Sequence, residues 1–245
     1  MAQQQSMHEY PVWDRSIRWF HWINVLAVLT LIAIGVVIMN SKALGITDEG
    51  KLLLKTWHVY VGYVFAINLA WRLVWGFVGN RYSRWKAILP FGQQYKRHKQ
   101  VFFAGLKQGK PVGFKGHNPL ARWMVMTLLL LLTVQAVTGL VLAGTDIYKP
   151  PFGDQFKAWV AESPQTIDQV QPYSEAGIDK EAYKAMRDFR APFKEVHEIT
   201  FFLLVIAIVL HLIGVIVTEL RERNGLVSAM FTGRKVFTEK PLDQE

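Results

Sequence analysis

Two histidines, His197 and His211, lie in a mostly apolar stretch near the C-terminus, EVHEITFFLLVIAIVLHLIGVIVTELRER. They are fourteen residues apart, and fourteen helical residues turn through about 40° less than four full turns. Both imidazoles therefore point in nearly the same direction from one helix, about 21 Å apart along its axis. Because ionisable groups are costly in a segment this apolar, the two histidines are interpreted as functional.

Two more histidines, His21 and His58, lie near the starts of two earlier apolar stretches. Because consecutive membrane spans run in opposite directions, His21 is predicted at the depth of His211; these two form the first pair. By the same reasoning His58 is predicted at the depth of His197, and these form the second pair. Two facing imidazoles without a carboxylate or thiolate suit the axial positions of an octahedral iron in a flat macrocycle, and haem b fits.

Small and cationic residues near the histidines agree with a haem between helices. Gly35 lies fourteen residues after His21, at the depth of the second pair, where its small size would let a porphyrin approach. Arg72 lies fourteen residues after His58, at the depth of the first pair, and is a candidate partner of a haem propionate. The ordinary alternatives are helix packing for the glycine and extension of the arginine to the membrane surface. Two further glycines lie a turn or less from a histidine: Gly62 and Gly214.

Four apolar stretches must position these residues, and each is long enough to cross a hydrocarbon core of ~30 Å as a helix. Backbone groups in lipid must be hydrogen-bonded within their own segment, which favours helices. We therefore predict an all-α fold, a polytopic membrane four-helix bundle that forms a single domain over residues 1–245. The predicted spans are residues 17–39, 57–78, 122–142 and 196–218.

Charge is distributed unevenly among the predicted loops. Residues 79–122 contain ten Lys or Arg and no Asp or Glu, whereas residues 143–195 contain seven basic and nine acidic residues. Because cytoplasmic loops carry the excess of Lys and Arg, loop 79–121 is predicted to be cytoplasmic and the extended loop 143–195 periplasmic. Both termini would then be cytoplasmic in a bacterial inner membrane. The positive charge favours contact with membrane lipid over nucleic acid.

The sequence gives little support for disulfide, iron–sulfur, covalent-haem or acid–base chemistry. The absence of cysteine excludes disulfides, iron–sulfur clusters and covalent haem attachment, so any haem is held by coordination alone. In the predicted periplasmic loop, residues 179–189 (DKEAYKAMRDF) are expected to form a short helix lying at the surface. Asp146 and Asp154 in that loop are interpreted as solvated charges or docking contacts rather than catalytic acids.

Several longer motifs accompany the histidines: DRSIRWFHW opens the first span, WRLVWGFVGNRYSRW closes the second, GHNPLAR enters the third and LVSAMFTGRKVF follows the fourth. Together they resemble the bacterial four-helix di-haem cytochrome b family over most of the chain. That family includes the b-type cytochrome subunit of nickel–iron hydrogenases, the gamma subunit of formate dehydrogenases and stand-alone bacterial cytochromes b.

The resemblance implies two non-covalent, bis-histidine haem b groups. His21 with His211 would ligate the cytoplasmic-side iron, and His58 with His197 the periplasmic-side iron, which is the pairing that depth also predicts. The resemblance further implies electron exchange with quinone or quinol as an exchangeable substrate near the cytoplasmic-side haem. Three polar residues lie toward that face: His117, Asn118 and Arg122. The motif GHNP is also typical of an ordinary turn followed by proline at a helix start, and that interpretation is favoured for it.

With both axial positions filled, such centres favour electron transfer over substrate chemistry. We therefore expect transmembrane electron transfer between the membrane quinone pool and a periplasmic redox protein. That partner would be a c-type cytochrome or a hydrogenase-like or dehydrogenase subunit, because the outer loop is longer than in stand-alone family members. The sequence leaves open the direction of electron flow, the haem potentials and whether the chain forms a homo-oligomer.

Two other functions are weighed against this one. A self-contained quinone-linked oxidoreductase would act on a small periplasmic substrate such as superoxide or a ferric chelate, and activity without a partner would support it. A cation transporter with a histidine path is the other. The first three predicted spans contain no Asp or Glu, which argues against a transporter. Glu198, in the fourth predicted span, is the one carboxylate next to a candidate ligand.

Overall fold

The computed structural model describes residues 7–110 and 112–244. Four of its helices are long and apolar enough to cross a membrane, which confirms the predicted all-α, four-span fold. In chain order the elements are β1 (His8–Pro11), α1 (Arg15–Met39), α2 (Asp48–Val78), α3 (Trp85–Ile88), α4 (Gln93–Lys107), α5 (Pro119–Ile147), α6 (Gly153–Val160), a 3-10 helix (Pro164–Gln169), α7 (Lys180–Glu222), α8 (Ala229–Thr232) and β2 (Arg234–Phe237). The spanning helices are α1, α2, α5 and α7.

The short helix predicted over residues 179–189 is helical in the structure, but it is the first part of a much longer helix. Helix α7 begins at Lys180 and continues through Pro192 to Glu222. Hydropathy marks only the part of a helix that lies in lipid, whereas its end depends on helix propensity, and the preceding residues KEAYKAMRDFRA are mostly strong helix formers. The segment between α5 and α7 is therefore residues 148–179, shorter than the predicted loop 143–195.

Three charged residues connect the spanning helices near one end. The Asp146 carboxylate of α5 contacts the Lys55 ammonium of α2, and it accepts a hydrogen bond from the Arg190 guanidinium of α7 at 2.5 Å. The three side chains are only 18–28% exposed. Because one carboxylate pairs with two cations that are largely shielded from water, it stabilises the packing of all three helices.

We expect Asp146→Ala to lower the free energy of unfolding by roughly 1–3 kcal/mol, because it leaves two shielded cations unpaired while some solvent remains to screen them. Unfolding in detergent, followed by circular dichroism, measures the change. Glu175→Ala is the matched control, since its ion pair with Lys180 is almost fully exposed and 3.9 Å long. Equal destabilisation by the two substitutions would contradict the structural role of Asp146.

A short strand near each end of the chain pairs with the other, which the sequence analysis did not predict. Strand β1 lies antiparallel to β2, with His8 opposite Phe237, and the Val12 amide donates to the Gly233 carbonyl at 2.8 Å. Gly233 has φ +81°, and a Cβ there would lie 2.6 Å from the Trp13 carbonyl oxygen. The motif TGRK in the tail is therefore a tight turn whose glycine permits this close approach.

The tail is also bound to the segment that precedes α5. The Lys235 ammonium, 2% exposed, donates to the carbonyls of Phe114 and Gly116 at 3.1 Å. Burial lowers the pKa of Lys235 to about 8, although Glu222 and Asp243 oppose the shift. These contacts hold the C-terminal segment against residues 114–116, beside the start of α5.

Candidate functional site

The chain divides into two compact units. The first contains the described residues of Met1–Trp22, Ala70–Leu130 and Leu204–Glu245, and the second contains Ile23–Leu69 and Leu131–Leu203. His21 and His211 belong to the first unit, and His58 and His197 to the second. Each histidine pair inferred from depth thus lies within one unit, while the single domain over residues 1–245 stays a prediction.

The second pair faces across a short gap between α2 and α7. The ring centroids of His58 and His197 are 6.5 Å apart, and the ring planes are inclined at 70°. Two metal–nitrogen bonds of about 2 Å each fit within this separation. The geometry of the two rings is therefore compatible with one metal ion held between them.

Two polar residues of α5 contact the His197 ring. The Thr138 hydroxyl donates to the Val134 carbonyl at 2.7 Å, so its oxygen is free to accept from His197 Nδ1–H, 2.8 Å away. The amide nitrogen of Gln135 lies 3.1 Å from His197 Nε2 and donates to its lone pair. Thr138 thereby fixes the tautomer in which Nε2 carries the lone pair, and a metal that takes this lone pair would replace the hydrogen bond from Gln135.

Glycines stand beside both rings of the second pair. A Cβ at Gly35 would lie 3.5 Å from His58 Cε1, and a Cβ at Gly139 would lie 3.3 Å from His197 Cε1. Gly35 was predicted at this depth, whereas Gly139, Thr138 and Gln135 were missed. Polar residues inside the otherwise apolar third span were the available signal, because such groups in lipid need a partner. Space around Gly62 is open within 4 Å.

The first pair lies beside the C-terminal segment. His21 lies on α1 and His211 on α7, and both belong to the first unit. The His21 ring packs edge-on against Trp22 at 5.2 Å, and the Trp22 indole N–H donates to the Met230 carbonyl at 3.1 Å. Trp22 also packs against Phe231, with ring centroids 4.6 Å apart. Helix α8 therefore supports the residue next to His21, which gives the tail motif a place beside this pair.

Arg72 is buried in the first unit, where it is 5% exposed. One terminal nitrogen, Nη1, has no hydrogen-bond partner among residues 7–110 and 112–244, and the guanidinium lies 5.7 Å from the Trp85 ring centroid. A buried guanidinium with an unsatisfied nitrogen needs an acceptor. A propionate would satisfy this requirement, and that role for Arg72 stays a prediction.

The motif GHNP forms the start of α5. The Asn118 side-chain oxygen accepts from the Ala121 amide at 2.8 Å, so Asn118 caps the helix and Pro119 is its first residue. The His117 ring packs against Trp13 at 4.8 Å. Burial, followed by the nearby cations Lys235 and Arg72, lowers the pKa of His117 to about 3. His117 is therefore neutral at physiological pH.

The histidines fit haem better than a bare metal ion. The described residues contain no group of three or more His, Cys, Asp or Glu side chains placed to hold an ion. The Nδ1 atoms of His21 and His58 are buried, and neither has a hydrogen-bond partner in the described part of the chain. Paired imidazoles without further ligands are what a macrocycle needs at its two axial positions.

Comparison with known proteins agrees with this chemistry. The sequence model of the family described as Prokaryotic cytochrome b561 matches residues 12–233. The chain is similar to a probable Ni/Fe-hydrogenase B-type cytochrome subunit of Cupriavidus necator, with 22% identity over 97% of this chain and 91% of the relative. The corresponding protein of Rhizobium leguminosarum bv. viciae is 25% identical over 97% of this chain and 92% of its own.

A third relative, the probable Ni/Fe-hydrogenase 1 B-type cytochrome subunit of Escherichia coli, is 31% identical over 57% of this chain and 63% of its own. The resemblance inferred from the motifs is thereby confirmed. Haem b is the group that a cytochrome b binds, and its ligation by the paired histidines stays a prediction. The chain belongs to the prokaryotic cytochrome b561 family and is a b-type cytochrome of membrane electron transfer.

Proposed function

We propose that this cytochrome holds two haem b groups, one at each histidine pair, and carries electrons across the membrane between the quinone pool and a periplasmic redox protein. The observation that carries the proposal is the arrangement of four histidines as two pairs, each within one unit, with the second pair at 6.5 Å. Haem b, when bound, supplies reversible one-electron exchange. With two imidazoles as its ligands, a haem at either pair would have no coordination position open to a substrate.

The chain's own residues prepare the second pair for ligation. Thr138 orients the His197 ring, and Gly35 and Gly139 leave space beside Cε1 of His58 and of His197. The apolar helices around them exclude water, and burial is one of the factors that set the potential of such a centre. At the first pair, Arg72 is the candidate counter-charge for a propionate, because its Nη1 lacks an acceptor in the described part of the chain.

Charge supports the proposed orientation. The ten Lys or Arg of residues 79–122, without any Asp or Glu, favour the cytoplasmic side for that segment. Both termini and the first pair then lie toward the cytoplasm. The second pair and residues 148–179 lie toward the periplasm of a bacterial inner membrane.

The relatives support one class of partner. Their names assign them to Ni/Fe hydrogenases as B-type cytochrome subunits. We therefore propose a hydrogenase-like subunit on the periplasmic side, in preference to a c-type cytochrome. Quinone would exchange electrons near the first pair, where His117 and Arg122 lie in the same unit.

Optical spectroscopy of the protein purified in detergent tests the proposal. A dithionite-reduced minus oxidised spectrum should show low-spin b-type bands, and a pyridine haemochrome assay should count two haems per chain. Anaerobic addition of a short-chain quinol should reduce at least one of them. A single haem per chain would overturn the two-site assignment, and no reduction by quinol would overturn the link to the quinone pool.

Thr138→Val tests the ligand geometry at the second pair. The substitution keeps the side-chain shape and removes the hydroxyl, so His197 Nδ1 loses its acceptor. We expect haem affinity at this pair to fall roughly 10–100-fold and the midpoint potential to rise, because the hydrogen bond makes the imidazole a stronger donor. Haem dissociation and redox titration measure both. Thr138→Ser retains the hydroxyl and should behave as the wild type; equal effects of both variants would contradict the role.

A further inference from the structure

A cationic cavity of about 380 Å³ lies within the first unit, and none of the four paired histidines is among its lining residues. Four cationic side chains line it: Arg81, Arg84, Lys86 and Arg122. Asp243 is the one carboxylate among the lining residues. The cavity size is within the range of ordinary small-ligand sites.

The cations of this cavity lack carboxylate partners. Within residues 7–110 and 112–244, none of the four forms an ion pair shorter than 4.0 Å. Arg122 is only 6% exposed, and its Nε makes one long contact, 3.5 Å, with the His117 carbonyl. A buried cation without a close counter-charge is costly, so this site is suited to an anion.

Asp243 does not neutralise the cluster at close range. Its two carboxylate oxygens accept from the backbone amides of Lys115 and Gly116, at 2.6 and 2.7 Å. The remaining attraction between Asp243 and Arg122 acts over a longer distance than an ion pair. The cavity therefore keeps an excess of positive charge.

The cavity lies where spanning helices end. Its residues follow α2, which ends at Val78, and include the first turn of α5, which begins at Pro119. Trp123 follows the lining residue Arg122 in sequence and is 49% exposed. Its ring centroid lies 5.9 Å from that of Phe91, which is 66% exposed. Aromatic side chains of this kind are typical of the membrane surface, where lipid headgroups lie.

We infer that this cavity binds a phosphate group, presented by an anionic phospholipid headgroup or as free phosphate. Arginine guanidinium groups offer the planar pairs of N–H donors that phosphate oxygens accept, and Arg122 provides a buried one. The position at the helix ends favours the phospholipid as the source.

Native mass spectrometry of the full, delipidated holoprotein in non-ionic detergent tests the inference. Phosphatidylglycerol should bind with one tight site, and phosphatidylcholine, whose phosphate is neutralised by its own cation, should bind more weakly. The double variant Arg81→Gln/Lys86→Gln should weaken phosphatidylglycerol binding about 25-fold, because the loss of each cation lowers the affinity about fivefold and the two factors multiply. Both residues are exposed, and neither side chain makes a hydrogen bond within the described residues, so the haem absorption should be unchanged.

A matched control removes the same charge outside the cavity. Lys96→Gln/Lys99→Gln changes two exposed lysines of α4 that do not line it, and it should leave binding close to the wild type. Retained phosphatidylglycerol binding in the presence of excess inorganic phosphate assigns the site to lipid, whereas displacement by inorganic phosphate assigns it to the free anion. Equal weakening by both double variants, equal binding of both lipids, or displacement by a quinol analogue alone would overturn the inference.

Discussion

Replacing His211 with alanine is expected to remove one haem and leave about half of the haem content of the wild type, because only one of two bis-histidine sites loses a ligand. His21→Ala should remove the same haem. His197→Ala and His58→Ala should both remove the other one, since these two histidines form the second pair. Haemochrome counts with a potentiometric titration identify which haem remains in each variant.

The pairing would be wrong if His21→Ala and His197→Ala removed the same haem. A conservative variant separates ligation from general loss of fold. His211→Met offers a thioether ligand, so it should retain the haem and raise its midpoint potential. Retention of two unshifted haems in this variant would show that His211 is not a ligand.

Gly139→Val is expected to weaken haem binding at the second pair while the first pair keeps its haem. The added Cβ would already stand 3.3 Å from His197 Cε1, so the valine methyl groups must displace the imidazole or move α5 away. Overpacking of this kind costs about 1–3 kcal/mol, or roughly five- to 150-fold in affinity. Haem occupancy after gel filtration, resolved by redox titration, measures the loss.

Val137→Leu is the control for added bulk on the same helix. Val137 is 53% exposed, so a larger side chain there meets the surroundings of the protein rather than the His197 ring. Gly139→Ala should have an intermediate effect, because a few tenths of an ångström accommodate one methyl group. If Gly139→Val retained both haems with unchanged potentials, the close approach of α5 would have no part in forming the site.

The C-terminal segment makes contacts that its local sequence pattern does not predict. The motif LVSAMFTGRKVF indicated a family resemblance, but its physical role depends on partners more than a hundred residues away. Lys235 donates to carbonyls at Phe114 and Gly116, and Met230 accepts from Trp22. No period or propensity encodes such contacts, because they arise only when the chain is folded.

The sequence by itself determined the number of spans, and it predicted the candidate ligands and their division into two pairs. These follow from properties that are local to each helix: the apolar length needed to cross lipid, and the rotation that brings residues fourteen apart onto one face. The same local reasoning placed Gly35 beside the second pair and Arg72 in the unit of the first.

Only the tertiary structure decided what surrounds those histidines. Helix α5 carries none of the four, yet its Gln135, Thr138 and Gly139 contact His197 from a different helix. The tertiary structure also decided that α7 begins as early as Lys180. Arg190, in this early part of the helix, binds Asp146 of α5. The physical reason is the same in each case. The length of an apolar segment and the rotation between two residues of one helix depend only on consecutive residues. Hydrogen bonds, ion pairs and close packing between helices depend on which distant residues come into contact.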